Sequence, residues 1–376
     1  MIKSLMLREL TYLWRDRGLR RILLLGSLVG LVLFYATYSA QVLRDIPTAV
    51  VDLDRSAASR ELVQKLGQAE NLKLVAFPGS YQEAQELLKR GQVIVAVVIP
   101  EHYGKNAALG RQTNVYMAID GSNEIYATNA TTAALTVAGT ISANAGVKAL
   151  LSRGFDPQQA RDAYLGVDIR EEPWFNPTLN YAYFLVLALI LNVWQQCCTL
   201  AAATNIIGET GRPSWLQFKL AGTSKWTLFV SKSVVHICVF MLMILPIYFI
   251  CFGLLDIPLN CNWAVFLLFT LLFAVALHSV GTLASSFARN AVDSTRFGMI
   301  IALPSFIISG YTWPLEAMPA SIQHAAKLLP QTWFFQGLNY FTFKNPGWPF
   351  MRQYFLALGI IALICYSAAA LITSRK

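Results

Sequence analysis

Charged side chains are scarce in this sequence, and their scarcity excludes an ordinary soluble protein. Asp, Glu, Lys and Arg together make up 14% of the 376 residues, whereas soluble globular domains carry about 25%. Hydrophobic residues reach 55%. This balance predicts a chain that lies largely in a lipid bilayer.

Cysteine is absent from residues 43–178, so a domain in that segment must be stabilised by its core and not by disulfides. The six cysteines fall in or beside apolar windows, where cysteine behaves as a small buried hydrophobe. The four histidines show no metal-ligand spacing. For His236 and His278 we favour hydrogen bonding between helices over a place along a polar pathway.

Two further absences narrow the function. The acidic residues near apolar windows are Asp256, Asp293 and Glu316, all at window edges, whereas ion-coupled transporters place ionisable groups inside their spans. The sequence also has no G-x-x-x-x-G-K-[ST] phosphate loop. We therefore expect a chain that is not an enzyme and binds no cofactor of its own, so that any active transport is driven by a separate ATPase.

Six windows without Asp, Glu, Lys or Arg are long enough to cross about 30 Å of hydrocarbon, which takes about 20 helical residues. They lie within 22–43, 173–208, 233–255, 257–288, 297–315 and 353–374. The apolar core of the first window is longer than that of a signal peptide, so we interpret it as a retained span. The predicted fold is an α-helical polytopic membrane protein with six transmembrane helices.

Lysine and arginine in the short loops predict the orientation, because they accumulate on the cytoplasmic side. The basic residues expected on the cytoplasmic side are Lys3, Arg8, Arg15, Arg17, Arg20, Arg21, Arg212, Lys219, Lys225, Lys232, Arg289, Arg296, Arg375 and Lys376. The short loops on the opposite side hold only Lys327, Lys344 and Arg352. Both termini are thus expected in the cytoplasm. The net charge of +9 needs no nucleic acid to explain it.

Residues 43–178, between the first two spans, are predicted to form an α/β extracytoplasmic domain. "IPTAVVDLD", "NLKLVAF", "QVIVAVVIP" and "TNVYMAID" have strand patterns, and helical patterns separate the first three. The nearly continuous apolar third strand favours some parallel pairing. A helix with small side chains is predicted after Asp120; we favour its packing on its own sheet, with a dimer contact as the alternative.

Two segments are suited to contact a cytoplasmic partner. In residues 1–21, one helical face carries Leu5, Met6, Leu10, Leu13 and Trp14 between basic residues, which is typical of a helix lying in the membrane interface. The alternative is that the basic residues of this segment serve only to hold the first span with its N-terminal end in the cytoplasm. Residues 205–227 mix charges, tryptophans and helix-compatible apolar spacing, which predicts a short membrane-surface helix.

Three motifs make the chain resemble the ABC type-2 exporter permeases, in the bacterial branch with a large outer domain after the first span. "IPTAVVDLDRSAASRELV" is similar to the start of the family's outer domain, and "ETGRPSW" leading to Lys232 is similar to its coupling segment. "SGYTWPLEAMPASIQHAAKLLPQTWF" resembles its most specific signature. The coupling segment departs from the family pattern, because Gly211 replaces a second acid and Pro213 stands where glycine is usual.

The resemblance implies a domain plan and site residues. The plan is an interface helix at 1–21, the first span at 22–42, the outer domain at 43–178, and five further spans at 179–376 with a coupling segment at 205–227 and a re-entrant outer hairpin at 313–345. Coupling to the ATPase is expected at Glu9, Arg15, Glu209, Arg212, Trp215 and Lys219. The substrate path is expected at Asn192, Gln195, Gln196 and Thr199, with interhelical hydrogen bonding as the alternative. The exit gate is expected at Ser309, Tyr311, Trp313, Pro314 and Glu316, although Glu316 fits a solvated loop residue equally well.

The same resemblance implies partners and cargo. We expect a permease dimer in a bacterial inner membrane, two ATP-binding cassette subunits that hold ATP and Mg, and a periplasmic adaptor protein where the cell has two membranes. The expected cargo is amphipathic or hydrophobic, such as drugs or lipid-like molecules, and is exported. The alternative function is a membrane-anchored receptor or envelope assembly factor that binds through the outer domain.

Overall fold

The computed structural model describes residues 2–38, 44–109, 111–164, 172–207, 222 and 224–374. The chain divides into two compact units, a helical unit from residues 1–41 and 173–376 and an α/β unit from residues 42–172. The strands are β1 (Ile46–Asp52), β2 (Leu72–Ala76), β3 (Val95–Ile99) and β4 (Tyr116–Ile119). The helices, in chain order, are α1 (Ile2–Arg15), α2 (Arg17–Thr37), α3 (Ala57–Gln68), α4 (Tyr81–Lys89), α5 (Tyr103–Ala108), α6 (Glu124–Leu151), α7 (Pro157–Tyr164), α8 (Tyr181–Ala203), α9 (Lys225–Tyr248), α10 (Trp263–Phe287), α11 (Ala291–Ser305), α12 (Ala320–Lys327), α13 (Pro330–Asn339) and α14 (Trp348–Ser374).

Long apolar helices make this a polytopic membrane protein. Five of the six predicted windows correspond to helices long and apolar enough to cross a bilayer, namely α2, α8, α9, α10 and α14. The remaining window, 297–315, does not form one continuous helix. It is split between α11, which has 15 residues, and a 3-10 turn at Ile307–Ser309. Fifteen residues cover about 22 Å, which is short of the hydrocarbon thickness.

Proline and glycine explain why that window is interrupted. Pro304 lies in the last turn of α11, where it removes a backbone donor. Gly310 follows with φ +83°, a left-handed conformation that glycine adopts without steric cost. The sixth helix with a span-like length and composition is instead α6, which belongs to the α/β unit.

Helices α8 and α10 form the centre of the helical unit and are the most deeply buried of the long helices. They approach closely at Gly281, where an added Cβ would lie 2.5 Å from the Cβ of Ala202. Two turns earlier, near the middle of α10, the ring of Phe273 stacks on Phe334 of α13 with centroids 3.8 Å apart. Small residues therefore bring the backbones of α8 and α10 together at Gly281, and aromatic rings fill the space between α10 and α13.

The α/β unit contains a four-stranded sheet in the order β2-β1-β3-β4. Strand β1 pairs in parallel with β2 and β3, and β4 closes the edge in antiparallel pairing with β3. Every residue of β3 is buried, as the continuous apolar run predicts for a strand covered on both faces. The predicted parallel pairing is thus present.

The acidic motif after β1 builds the turn into α3. One oxygen of Asp52 accepts the hydroxyl of Ser59 at 2.8 Å, and Asp54 accepts the backbone N–H of Gly104 at 2.9 Å. Ser56 is the N-cap of α3. The side chains in "DLDRSAAS" are thus engaged in local structure, which gives a structural reason for the motif.

Helix α6 packs partly on the α/β core. Ala130 and Ala133 are buried in a cluster with β1, β3 and α3, which is the contact that the small side chains favour. Leu135 on another face is exposed, and the C-terminal half of the helix packs with α7. A dimer contact through α6 stays a prediction.

Candidate functional site

Glu9 of α1 is buried against α9. Its Oε2 lies 2.6 Å from the Nζ of Lys232, and its Oε1 lies 3.0 Å from the Nε2 of His236. The carboxylate is 1% exposed. One acidic residue of α1 therefore joins that helix to two residues one turn apart on the long apolar helix α9.

The charge on Glu9 is maintained by these two partners. Burial alone acts to raise the pKa of Glu9, but the hydrogen bond with His236 and the positive charge of Lys232 together outweigh it and lower the pKa to about 2. An opposite charge at hydrogen-bonding distance favours the ionised form in this way. Glu9 is therefore a carboxylate at neutral pH, and its contact with Lys232 is a buried ion pair.

The buried face of α1 follows an i, i+4 row. Leu5, Glu9 and Leu13 are buried, whereas Leu10 and Trp14 are exposed. Leu5 and Leu13 of the predicted apolar face therefore pack inside the protein while Leu10 and Trp14 stay exposed, and the placement of that face in the membrane interface stays a prediction. Arg15, at the end of α1, is also exposed.

A polar chain continues from Glu9 into the helical unit. The ring of His236 meets that of His278 on α10 edge-on, with centroids 5.2 Å apart. The Nδ1 of His278 hydrogen-bonds to the hydroxyl of Tyr366 on α14 at 2.8 Å. Its Nε2 lies 3.4 Å from the amide nitrogen of Asn205, just after α8. Both histidines thus bond between helices, as the favoured interpretation of the sequence expects.

Four of the residues predicted to couple the chain to an ATPase, Glu209, Arg212, Trp215 and Lys219, lie outside the described residues. Of the predicted coupling set, the structure therefore describes Glu9 and Arg15. Among the described residues, no group of histidine, cysteine or acidic side chains could hold a metal ion.

The predicted path residues on α8 divide into two pairs. Gln195 and Thr199 are fully buried, whereas Asn192 and Gln196 are partly exposed. Gln195 and Gln196 both donate to the Oδ1 of Asn192, at 3.1 and 3.3 Å, and Thr199 bonds to the carbonyl of Gln195 at 2.8 Å. In this conformation, Gln195 and Thr199 lie inside helix contacts and not on an open surface.

Gln195 holds three elements together. Its Nε2 donates to the carbonyl of Ala302 on α11 at 3.1 Å, and its Oε1 accepts from the Nε2 of Gln331 on α13 at 2.9 Å. Ser294 of α11 bonds to the carbonyl of Ala203 on α8. Hydrogen bonds therefore join the C-terminal half of α8 to α11 near both ends of α11.

Residues 306–345 contain the predicted re-entrant hairpin at 313–345, and we call them the hairpin segment. The predicted exit residues lie in this segment and divide into two groups. Ser309 and Tyr311 are buried, whereas Trp313, Pro314 and Glu316 are exposed. The carbonyl of Ser309 accepts from the amide of Gln336 on α13 at 3.2 Å. The hairpin is thus fixed at its beginning and open to its surroundings at its tip.

Tyr311 attaches the hairpin to α8. Its ring stacks on Phe184 with centroids 4.9 Å apart and planes 8° from parallel. Its hydroxyl donates to the carbonyl of the same residue at 2.5 Å. Of the five predicted exit residues, Tyr311 makes this direct contact with the helix that carries the predicted path.

Sequence reasoning missed Gln331 and the partners of Glu9. Gln331 is a polar residue inside an apolar stretch directly after Pro330, which is the signal that could have identified it. The sequence places Lys232 only among the cytoplasmic charges, at the end of the coupling motif. Glu9 is the single acidic residue of α1, which indicates that it needs a cationic partner, but its spacing does not name that partner.

Buried polar contacts join the helices of this unit at two places. Glu9 ties α1 to α9, and Gln195 ties α8 to both α11 and α13. Each tie is a buried polar contact, so separating the two sides exposes polar groups and requires them to find new partners.

Comparison with known proteins identifies the family. Residues 21–371 match the family described as ABC-2 family transporter protein. The chain is 22% identical over 327 residues to the probable multidrug ABC transporter permease YbhR of Escherichia coli strain K12, covering 87% of this chain and 85% of that one. It is 23% identical over 380 residues to the inner membrane transport permease YhhJ of the same strain, covering 98% and 96%. Because the family match extends over nearly the whole chain, this protein belongs to the ABC-2 transporter family.

Proposed function

We propose that this permease is the membrane-spanning subunit of an ATP-driven exporter that moves amphipathic or hydrophobic, drug- or lipid-like compounds out across the inner membrane. Separate ATP-binding cassette subunits hold ATP and Mg and dock on the cytoplasmic side. A second permease copy or paralogue completes the path, and a periplasmic adaptor protein joins it where a second membrane is present. The names of the relatives, a probable multidrug permease and an inner membrane transport permease, support this assignment.

The observation that carries the proposal is the buried ion pair between Glu9 and Lys232. A helix that is only a membrane anchor needs no buried charge, because its basic residues suffice. A helix that transmits force needs a fixed attachment to a span. The 2.6 Å contact, supported by His236 at 3.0 Å, is such an attachment.

The path itself opens between α8 and α11 in this proposal. The two helices are in contact in the described conformation, through Gln195 to Ala302 and through Ser294 to Ala203. Closure of the nucleotide-binding subunits moves α1 and the coupling segment, and the movement reaches the bundle through α9. Release of the contacts around Gln195 and Tyr311 then opens the way past the hairpin. In this mechanism both termini are cytoplasmic and the α/β unit lies outside.

The test is to substitute Glu9→Gln in the complex with its ATPase and to measure two activities after reconstitution in lipid. Glutamine keeps the size and removes the charge. We expect ATP hydrolysis to persist while export of the amphiphilic dye Hoechst 33342 falls by about tenfold, since coupling between sites is typically 5–150-fold. Lys3→Gln removes a charge from an exposed position of the same helix and serves as the matched control.

Folding and coupling are separated by a second variant. Glu9→Gln combined with Lys232→Met removes both charges of the pair, so it should recover much of the stability that the single substitution loses. It should not recover export, because the attachment is still absent. Normal export in a correctly folded Glu9→Gln complex would overturn the coupling role of α1.

A further inference from the structure

A cleft of about 360 Å³ lies between the segment that leads into α8 and the segment that follows α13. One wall is residues 174–184 and the other is residues 339–344. The lining is mostly aromatic and amide side chains, and Lys344 carries the single formal charge among the ten residues that line it. We name it the aromatic cleft. Its volume is within the range of small-molecule sites.

Two hydrogen bonds between Asn176 and Asn180 hold the first wall in place. The Nδ2 of Asn176 donates to the carbonyl of Asn180 at 3.0 Å, and the Oδ1 of Asn176 accepts from the N–H of Asn180 at 3.1 Å. Phe175 and Leu179 have positive φ angles of 71° and 48°, a conformation that is costly for bulky side chains. Trp174 and Leu179 are nevertheless 71% and 68% exposed. The first wall therefore presents apolar side chains on its surface and does not bury them.

The second wall is equally well held. Residues 340–344 form one π-helical turn, and Asn260 braces it by donating from Nδ2 to the carbonyl of Phe343 at 2.8 Å and from its backbone N–H to Phe341 at 3.0 Å. The Nζ of Lys344 lies 5.3 Å from the ring centroid of Tyr340. The cation is therefore positioned at the cleft by an ordered turn.

We propose that the aromatic cleft binds the head of an anionic, phosphate-bearing amphiphile, with Lys344 paired to the phosphate and the aromatic wall covering the first methylene groups. A lysine ammonium is a common phosphate ligand. No carboxylate among the lining residues opposes an anion. The exposed apolar groups of the first wall suit a molecule whose remaining chain continues into lipid.

The site adjoins the proposed exit. Phe184 lines the cleft and also stacks on Tyr311 of the hairpin segment. Assignment of the cleft to the outer leaflet rests on the proposed function, whereas its ligand chemistry does not. A resident membrane phospholipid and an exported lipid-like compound share the required chemistry, and the experiment separates them.

The test uses the purified full chain in phosphatidylcholine nanodiscs without an ATPase. Photoactivatable phosphatidylglycerol is compared with phosphatidylcholine that carries the same diazirine, and labelled peptides from residues 174–184 and 339–352 are quantified by mass spectrometry. We expect the anionic probe to label these peptides about fivefold more, the effect of one lysine near a lipid surface. Lys344→Glu should abolish the preference. Lys327→Glu makes the same charge change at an exposed position outside the cleft and should retain it.

A second variant tests the apolar wall. Leu179→Asn removes apolar surface with a residue that tolerates positive φ, and it should lower labelling by both probes while the headgroup preference stays. Leu328→Asn, at another exposed leucine, is its control. Equal labelling by the two probes in the wild-type chain, or a preference that survives Lys344→Glu, would overturn the proposal and indicate unspecific aromatic anchoring.

The source of the ligand is identified by extracting what co-purifies from the native membrane with the wild-type chain and with Lys344→Glu. A glycerophospholipid lost in the variant identifies a resident lipid, and another phosphate-bearing amphiphile lost in the variant identifies cargo; either result supports the site. Identical extracts count against it. Because these measurements need no ATP hydrolysis, their failure leaves the proposed export function to be judged by the Glu9 experiment alone.

Discussion

Gln331 donates its side-chain amide to the Oε1 of Gln195 at 2.9 Å, across 136 positions of the chain. Both side chains are fully buried. The amide of Gln195 reaches on to the carbonyl of Ala302. This pair therefore connects the hairpin side of the bundle, through α13, to the helices that the proposed path must separate.

Gln331→Leu tests this connection. Leucine fills a similar volume but leaves the Oε1 of Gln195 without its donor, and an unsatisfied buried acceptor costs about 1–3 kcal/mol. We expect the free energy of unfolding in an SDS titration to fall by that amount. In liposomes, passive leak of the dye should rise, because the closed arrangement of α8, α11 and α13 is weakened.

Gln323→Leu is the control for that substitution. Gln323 is a partly buried glutamine on α12, and its amide bonds locally to the carbonyl of Met318. Its replacement should change neither the leak nor the stability by more than about 0.5 kcal/mol. If Gln331→Leu changed leak and stability as little as Gln323→Leu, the hydrogen bond between Gln331 and Gln195 would not help to hold α8, α11 and α13 together.

Tyr311→Phe and Tyr311→Leu separate the two contacts of the hairpin with α8. Phenylalanine keeps the stack on Phe184 but lacks the hydroxyl that bonds to the Phe184 carbonyl. The free energy of unfolding should therefore fall by about 1 kcal/mol. Leucine removes the aromatic pair as well, which adds about 0.5–1.5 kcal/mol. Tyr35→Phe, at an exposed tyrosine of α2, should have little effect. Equal losses for the two Tyr311 variants would show that the stack contributes nothing.

Much of the fold could be predicted from hydrophobic periodicity and from the residues that begin and end helices and strands. Hydrophobic length identified five long helices, strand patterns located the four strands, and the continuous apolar run of β3 indicated burial on both faces. Ser80 stands three residues before Glu83, the spacing of a capping box, and its hydroxyl accepts the N–H of Glu83 at the start of α4. These features depend on neighbouring residues, so a single sequence contains them.

The candidate site was less predictable because its contacts join distant residues. Glu9 and Lys232 are 223 positions apart, and each is explained locally as an isolated charge. Gln195 was identified as polar on an apolar helix, but nothing in its spacing names Gln331. Burial on α1 likewise depends on which residues α9 meets, so hydrophobicity alone does not separate the buried Leu5 and Leu13 from the exposed Leu10 and Trp14. For α11, the apolar window at 297–315 is visible in the sequence, but its length alone does not show that the helix ends at Ser305.

Gly281 tests the close packing of α8 and α10. Gly281→Ala places a Cβ 2.5 Å from that of Ala202 and 2.9 Å from the carbonyl of Thr199, distances at which the helices must move apart. Overpacking of this kind costs about 1–3 kcal/mol. Gly359→Ala is the matched control, because its added Cβ meets nothing within 4 Å.

The two glycine variants should move stability in opposite directions. Alanine is favoured over glycine in a helix interior by about 0.5–1 kcal/mol, so Gly359→Ala should raise the SDS concentration at which the chain unfolds, and Gly281→Ala should lower it. A stabilised Gly281→Ala variant would contradict the close approach of α8 and α10.

The pH dependence of stability provides a separate test of Glu9. Its pKa is lowered from 4.5 to about 2 in the folded chain, which corresponds to about 3 kcal/mol. For a group with a depressed pKa, this stabilisation is fully present above the unfolded value of 4.5 and is lost as the pH falls from there through about 2. The part of the difference in unfolding free energy between wild-type and Glu9→Gln chains that comes from the Glu9 charge should therefore shrink as the pH falls below about 4.5. Unfolding titrations of both chains across this range measure it. A difference that stayed constant down to pH 3 would mean that the charge of Glu9 does not set the strength of the attachment.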